Sequence, residues 1–190
     1  ECRYIVQLGD TGGHTHTSLR PQDADRVSAS AFFDFRYGYS NSARSMRLRE
    51  IQSTIADFEQ AGRRVVAAKC DGVEITASKG YLIHQFLNPV TNRRTDEYGG
   101  SVDKRFQLLA EIVSRVRKAI GPDFLLGVRL AAKDFSFSWL NPRFPLTRPL
   151  PSWDEWKGNG LAETMHYAQR LEALGVGHVE DGRERAPPPG

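Results

Sequence analysis

Short apolar strands alternate with amphipathic helices along most of this chain, and this alternation limits the folds that it can adopt. Four runs rich in β-forming residues cover positions 4–8, 72–76, 124–130 and 176–179. Strands that alternate with helices pair in parallel, because each helix returns the chain to the start of the next strand. The sequence therefore predicts an α/β fold built on a parallel sheet.

Three apolar stripes with helical spacing lie between these strands. Their members recur at steps of three or four residues: Ile51, Ile55, Phe58, Val65 and Val66; Val102, Phe106, Leu109, Val113 and Val116; and Leu161, Met165, Ala168, Leu171 and Leu174. Such a stripe is typical of a helix that packs on a sheet. In parallel strand–helix barrels the loops at the carboxyl ends of the strands carry the chemistry, so we expect a site in the segments that follow the strands.

The composition is that of an ordinary soluble globular protein. Hydrophobic residues make up 39% of the chain, and the 26 basic side chains are dispersed among 23 acidic ones, which argues against a nucleic-acid partner. No apolar run approaches the roughly 20 residues that span a bilayer, and the amino terminus lacks the organisation of a signal peptide. We therefore expect a cytoplasmic protein without a membrane partner, and we expect Cys2 and Cys70 to be reduced thiols.

A dense polar segment follows the second strand and ends at Gly100. Gly-Val-Glu-Ile, starting at Gly72, leads into Thr-Ala-Ser-Lys-Gly-Tyr, then Leu-Ile-His-Gln-Phe-Leu-Asn-Pro, and finally Thr-Asn-Arg-Arg-Thr-Asp-Glu-Tyr-Gly-Gly. This run of about thirty ordered positions is far more specific than a short motif. It resembles the old yellow enzyme family of FMN-dependent NAD(P)H oxidoreductases. Weaker similarity extends over residues 4–9 and 121–130 and fades after Val176.

The resemblance implies a parallel (β/α) TIM-barrel fold, of which this chain carries about four of the eight strand–helix units. A complete barrel takes roughly 250 residues, whereas this chain has 190. We expect residues 1–180 to form the partial barrel and residues 181–190, which are charged and then proline-rich, to form a disordered tail. A second copy of the chain is the expected partner if association completes the barrel.

The resemblance also implies FMN as the cofactor and NADH or NADPH as the reductant. In barrels of this type, loops after the seventh and eighth strands hold the phosphate group. Those strands have no counterpart in this sequence, so the resemblance leaves FMN binding open.

Two residues correspond to flavin-binding positions of the family. Gln7 corresponds to a glutamine that hydrogen-bonds the pyrimidine edge of the flavin, since an amide offers both a donor and an acceptor. Arg129 corresponds to an arginine beside N1 and O2 of the ring, where a permanent cation stabilises the anionic reduced form. An ion pair with Glu74 is the alternative for Arg129, because a charge in an interior strand needs a partner.

Tyr81 is the candidate catalytic residue, because it matches the proton donor of the family. A phenol with a pKa near ~10 stays protonated at neutral pH and can act as a general acid. Thr76 and Lys79, with Tyr81, are the predicted substrate-binding residues. They stand where the family has a pair of histidines, or a histidine and an asparagine, that binds the substrate oxygen. Loss of one such oxyanion donor costs ~100- to 1,000-fold in rate.

Two further positions depart from the family. Asp10 stands where members often have histidine, and Lys69 stands where the helix before the second strand usually ends in glycine, which predicts the loss of a left-handed cap. The leading prediction is hydride transfer from reduced flavin to an alkene conjugated to a carbonyl. The departures favour the alternative, a catalytically inactive truncated barrel remnant that acts, if at all, as a self-associating or interaction protein.

Two long connections, residues 9–48 and 131–158, lack a clear strand or helix period, as binding loops often do. Aromatic residues of the second connection either wall a pocket for an apolar, enone-like substrate or pack over the barrel rim: Phe135, Phe137, Trp139, Phe144, Trp153 and Trp156.

Other polar residues give weaker signals. One charged cluster is predicted to form a self-bonded loop rather than a catalytic group, and its members are His84, Arg93, Arg94, Asp96, Glu97 and Tyr98. His14 and His16 lack a third ligand at convincing spacing, so the sequence predicts no metal site.

Overall fold

The main sheet has four parallel strands in the described part of the chain. A computed structural model describes residues 2–14, 25–34, 41–134 and 158–180. The strands are β1 (Ile5–Leu8), β5 (Gly72–Ala77), β6 (Leu125–Leu130) and β7 (His178–Glu180), and they lie side by side in that order. The predicted α/β fold with a parallel sheet is confirmed in all four strands.

Within those described ranges, three long α-helices and one short α-helix accompany this sheet. They are α1 (Leu48–Ala67), α2 (Leu82–Leu87), α3 (Val102–Ile120) and α4 (Leu161–Ala173). The buried residues of α1 and α3 follow the predicted stripes, apart from Val66, which is exposed. The short helix α2 was not predicted, because six residues are too few to show a helical period.

The predicted stripe of α4 is confirmed in its second half, where Leu171 is buried and Ala168 and Leu174 pack against the core, but it is wrong at its start. Leu161 and Met165 are 60% and 54% exposed, whereas Tyr167 and Leu171 are buried. The Tyr167 ring stacks on that of Phe106, with ring centroids 5.4 Å apart. The predicted stripe did not count Tyr167 as apolar and so overlooked this contact. A tyrosine can bury its ring when its hydroxyl finds a hydrogen-bond partner.

A second, smaller sheet lies between β1 and α1. Its strands are β2 (Val27–Ser28), β3 (Phe32–Asp34) and β4 (Asn41–Ser45), with β4 parallel to β2 and antiparallel to β3. The expectation that residues 9–48 lack regular structure is therefore wrong. These strands are only two to five residues long, so they give little alternation in the sequence.

The two faces of the main sheet differ in chemistry. Successive side chains of a strand point to opposite faces. One face packs into the apolar core that it shares with α1 and α3, and it carries Val73, Ile75, Ala77, Leu126, Val128 and Leu130, each at most 2% exposed. The opposite face, which we call the open face, carries Gln7, Glu74, Thr76 and Arg129. We call the first the covered face.

The end of α1 corrects the prediction of a lost left-handed cap. Lys69 has a φ of 58°. Its N–H donates to the carbonyl of Val66 at 2.9 Å, and the N–H of Cys70 donates to the carbonyl of Val65 at 3.3 Å. This is a Schellman motif in which lysine takes the usual place of glycine. The left-handed conformation costs a non-glycine residue ~1 kcal/mol.

Several other expectations concern the periphery of the chain. Cys2 and Cys70 are free thiols, as predicted. Among the described residues, no helix has the length and apolar character needed to cross a membrane. The predicted tail at 181–190 and the six aromatic residues between Phe135 and Trp156 lie outside the described residues.

Candidate functional site

The polar residues of the open face lie on three adjacent strands. Gln7 on β1 is in register with Glu74 on β5, and the Gln7 amide nitrogen donates a hydrogen bond to a Glu74 carboxylate oxygen. Further toward the carboxyl edge, Thr76 on β5 is in register with Arg129 on β6. The sheet therefore brings Gln7, Thr76 and Arg129 to one face near the ends of their strands.

These side chains differ in their exposure. Thr76 is 2% exposed, whereas Gln7 is exposed and Arg129 is half-buried. The guanidinium Nε of Arg129 is completely buried. Glu74, which the sequence offers as an ion-pair partner for Arg129, is the hydrogen-bond acceptor of Gln7.

A tight turn follows β5 and carries two of the predicted residues. The N–H of Tyr81 donates to the carbonyl of Ser78 at 3.2 Å. The two central residues, Lys79 and Gly80, have φ values of 61° and 74°. Positive φ at both central positions is the signature of a type I′ turn, which favours asparagine followed by glycine. Lysine at the first of these positions is strained by ~1 kcal/mol.

Tyr81 ends this turn and lies close to Thr76. It is the residue that precedes α2, with extended backbone, and its side chain is half-buried. Gly9, directly after β1, packs against both side chains. A Cβ atom on Gly9 would lie 3.3 Å from the Thr76 Cβ and 3.9 Å from the Tyr81 Cδ2. The predicted proton donor and the predicted hydroxyl donor thus both lie against Gly9 at the end of β1.

Lys79 contributes to a different part of the surface. A cavity of about 220 Å³, which we call the side cavity, opens between the 78–81 turn, α2 and the segment after β6. Its walls include His14, Lys79, His84, Asn88, Lys133 and Asp134, whereas Thr76 and Tyr81 do not line it. The structure therefore brings Thr76 and Tyr81 together and places Lys79 at a neighbouring site.

The carboxylate of Asp134 is the centre of a buried polar network beside this cavity. Its Oδ1 accepts from His84 Nε2 at 2.6 Å, and its Oδ2 accepts from Asn88 Nδ2 at 2.8 Å and from the Asn159 backbone N–H at 2.9 Å. The side chain is only 2% exposed. Three donors compensate for the burial of the charge. Sequence reasoning missed Asp134, because its partners are distant in the chain.

The charged loop after α2 bonds partly to itself and partly to residues between the strands of the small sheet, so the prediction of a self-bonded loop is confirmed only in part. The Arg94 guanidinium forms an ion pair with Asp96 at 2.6 Å and donates to the carbonyl of Met46 at 2.7 Å. The hydrogen bond from Arg94 lowers the pKa of Asp96 below its usual value. Burial, followed by the nearby Glu111 carboxylate, raises the pKa of Tyr98 to about 12. His84 is the exception, since it faces the side cavity.

Metal ligands do not cluster in the part of the chain that the structure describes. No group of three or more histidine, cysteine, aspartate or glutamate side chains there is arranged to hold a metal ion. His14 lines the side cavity, and His16 lies outside the described residues.

Sequence comparison relates the chain to flavin enzymes. A model of the NADH:flavin oxidoreductase / NADH oxidase family matches residues 1–138. The metal reductase of Desulforamulus reducens is 39% identical over 134 residues, which make up 70% of this chain and 20% of that protein.

Solved structures agree with the sequence comparison. Morphinone reductase in complex with tetrahydroNAD superposes with a TM-score of 0.70 and 27% identity, over 93% of this chain and 48% of that one. The old yellow enzyme homologue from Zymomonas mobilis gives a TM-score of 0.69 and 28% identity, over 91% of this chain and 45% of that one. Both relatives are TIM-barrel proteins, and this chain spans less than half of each.

Proposed function

Because the chain belongs to the NADH:flavin oxidoreductase / NADH oxidase family, we propose that it is part of an FMN-dependent oxidoreductase of the old yellow enzyme type. NADH or NADPH is the reductant, and an alkene conjugated to a carbonyl is the hydride acceptor. The observation that carries this proposal is the alignment of Gln7, Thr76 and Arg129 on the open face, across three adjacent strands. The flavin ring of FMN is flat and polar, and it needs a polar face of this kind to bind.

The residues of the open face fit the flavin ring. The amide nitrogen of Gln7 donates to Glu74, which leaves the Gln7 amide oxygen as an acceptor for a ring N–H. Arg129 offers a permanent positive charge with a buried guanidinium nitrogen, suited to the side of the ring that becomes negative on reduction. When bound, FMN would supply the hydride-transfer chemistry that protein side chains lack.

Two neighbouring residues are assigned to the substrate. Tyr81 holds a proton on its phenol oxygen and delivers it to the substrate carbon next to the one that receives hydride. Thr76, beside it, donates a hydrogen bond from its hydroxyl to the substrate oxygen. Lys79 serves the same oxygen only if its long flexible side chain reaches over from the side cavity. The expected substrate is a small, largely apolar enone.

FMN titration of the purified chain tests the cofactor assignment. Saturable quenching of FMN fluorescence is expected, and Arg129→Gln should weaken binding by at least about tenfold, since a charge-assisted contact contributes roughly 1.5–3 kcal/mol. Arg115→Gln is the matched control, because Arg115 is exposed on α3, where it forms an ion pair with Glu59. Folded wild-type protein that shows no saturable binding contradicts the proposal.

Enone reduction tests the role of Tyr81. Tyr81→Phe is expected to lower the rate of enone reduction ~100- to 10,000-fold, the usual contribution of a general acid. Tyr4→Phe is the control, because Tyr4 is 72% exposed and precedes β1. Equal rates for Tyr81→Phe and the wild-type protein would show that another group delivers the proton.

One observation favours the second candidate, a catalytically inactive protein that self-associates. Strand β1 is an edge of the described sheet, and the apolar residues Tyr4 and Ile5 are 72% and 49% exposed there. Exposed apolar edges promote pairing with another chain. A colourless protein whose mass in solution is twice that of one chain would support this candidate over the enzyme.

A further inference from the structure

The 78–81 turn, which carries Lys79 and Tyr81, is held by side chains that follow it in the chain. Gly80, at the centre of the turn, donates its backbone N–H to His84 Nδ1 at 2.8 Å. The carbonyl oxygen of Gly80 accepts from Gln85 Nε2 at 2.7 Å. His84 and Gln85 both belong to α2, so one short helix contacts both backbone polar groups of Gly80. His14 Nδ1 also lies 3.0 Å from the Gly80 carbonyl oxygen.

The contacts of His84 determine which ring nitrogen carries its proton. A backbone N–H can only donate, so Nδ1 must be the acceptor for Gly80. Nε2 then carries the proton and donates it to Asp134 Oδ1, 2.6 Å away. In the opposite tautomer, an Nδ1–H would face the Gly80 N–H, and a lone pair on Nε2 would face a carboxylate oxygen. Asp134 therefore selects the tautomer of His84 that can hold Gly80.

Asp134 is well placed to exert this control, because groups other than His84 also hold its carboxylate. Asn88 Nδ2 and the Asn159 backbone N–H both donate to the other carboxylate oxygen, at 2.8 and 2.9 Å. The backbone N–H of Asp134 also donates to the carbonyl of Asn159 at 3.0 Å. A fixed carboxylate at the end of β6 thus orients an imidazole on α2, which in turn holds the turn after β5.

We propose that His84, oriented by Asp134, is a positioning residue that keeps the 78–81 turn in its left-handed conformation and so keeps Tyr81 beside Thr76. The functional part of this inference rests on the proposed role of Tyr81, whereas the hydrogen-bonding part does not. A displacement of about 1 Å at a reacting group can cost ~100-fold in rate. Release of Gly80 should therefore lower kcat more than it raises KM.

Two substitutions separate the two contacts of His84. In His84→Asn, the amide oxygen replaces Nδ1 and still accepts from Gly80, but the shorter side chain does not reach Asp134. In His84→Gln, the amide nitrogen replaces Nε2 and still donates to Asp134, but Gly80 loses its acceptor. Each variant loses one hydrogen bond, so their free energies of unfolding should be similar.

A second histidine–aspartate pair provides the matched control. His166 Nε2 lies 2.9 Å from Asp103 Oδ1 on the surface, where the two side chains are 39% and 58% exposed. His166→Asn and His166→Gln make the same chemical changes at a pair that holds no turn. Neither should alter the behaviour of Gly80.

Hydrogen exchange at the Gly80 amide, measured by NMR on the full chain without flavin, is the first readout. We expect His84→Gln to accelerate exchange by at least about tenfold, because the opened turn exposes the N–H to water, and we expect His84→Asn to leave it near the wild-type rate. Equal acceleration in both variants, or none in His84→Gln, would overturn the proposal.

The wild-type protein gives an independent test that survives if either variant fails to fold. Long-range ¹H–¹⁵N spectra of the imidazole at neutral pH distinguish the two tautomers. A proton on Nε2 with an unprotonated Nδ1 supports the proposal. A proton on Nδ1 overturns it without any substitution.

Kinetics of the flavin-loaded protein test the functional part. His84→Gln should lower kcat for enone reduction by about 10- to 100-fold with KM changed less than about twofold, and His84→Asn should restore most of kcat. Faster Gly80 exchange with an unchanged kcat would overturn the positioning role. A wild-type chain that binds no FMN contradicts the proposed function instead, and Gly80 exchange still decides whether His84 holds the turn.

Discussion

The two faces of the main sheet are made from the same strands, but one contributes to the apolar core and the other carries the candidate site. On β5, Ile75 is fully buried in the apolar core, whereas the next residue, Thr76, lies on the open face beside Tyr81. A single step along a strand therefore separates a side chain that stabilises the fold from one that we assign to chemistry. We therefore expect substitutions on the open face to lower activity at little cost in stability, because the apolar core lies on the other side of the sheet.

Adjacent substitutions on β5 give the largest test of this difference. Ile75→Ala is expected to lower the free energy of unfolding by about 2–5 kcal/mol, because it leaves a cavity in a fully buried position. Thr76→Val keeps the shape of the side chain and should cost less than about 1 kcal/mol, while it removes the hydroxyl assigned to the substrate. Urea unfolding measures both. Similar losses for the two variants would mean that the open face is as important for stability as the covered face.

Asp134→Ala should produce the next largest effect. The substitution leaves His84, Asn88 and Asn159 with buried donors and no common acceptor, which costs about 2–3 kcal/mol. Asp103→Ala is the control, since Asp103 is 58% exposed and its ion pairs lie in water. The urea midpoint of Asp103→Ala should stay close to that of the wild-type protein. If the two variants unfold at the same urea concentration, the hydrogen bonds of Asp134 do not contribute measurably to stability.

Much of the fold was predictable because its signals are periodic and local. The strands β1, β5, β6 and β7 and the helices α1 and α3 show their alternation in the sequence itself. The small sheet and α2 were missed because they are too short to repeat a pattern. The place of Tyr167 on the inward face of α4 was missed, because its ring packs against Phe106, a contact that depends on the tertiary packing.

The candidate site was predictable only where strand geometry decides it. Once Gln7, Thr76 and Arg129 were placed on neighbouring strands, the alternation of side chains put them on one face. The separation of Thr76 from Lys79 was not predictable, because it follows from a left-handed turn that lysine rarely adopts. Asp134 gave no local signal either, since its side-chain partners His84 and Asn88 lie 50 and 46 residues away in sequence.

Two lysines with left-handed backbone conformations, one after α1 and one after β5, allow the same comparison between stability and activity. Lys69 at the end of α1 and Lys79 in the turn after β5 have φ values of 58° and 61°. Glycine at either position should raise the free energy of unfolding by about 0.5–1 kcal/mol, because relief of strain exceeds the added entropy of the unfolded chain. Only Lys79→Gly should also change enone reduction. Destabilisation by Lys69→Gly would show that its side chain makes a contact that outweighs the strain.

The smallest expected effect concerns pH and the link between the small sheet and α1. Hydrogen bonds from the Arg44 guanidinium and then from the Arg47 N–H lower the pKa of Glu50 to about 2. Because the folded-state pKa lies below the usual value of 4.5, this contribution to stability is present above about pH 4.5 and is lost as the pH falls toward 2.

Glu50→Gln should remove that part of the acid sensitivity, as measured by urea midpoints at pH 3 and pH 6. Asp57→Asn is the control, because Asp57 is exposed on α1. If Glu50→Gln leaves the acid sensitivity unchanged, another carboxylate is responsible for it. The contacts of Glu50 between the small sheet and α1 would then contribute little to the stability of the protein.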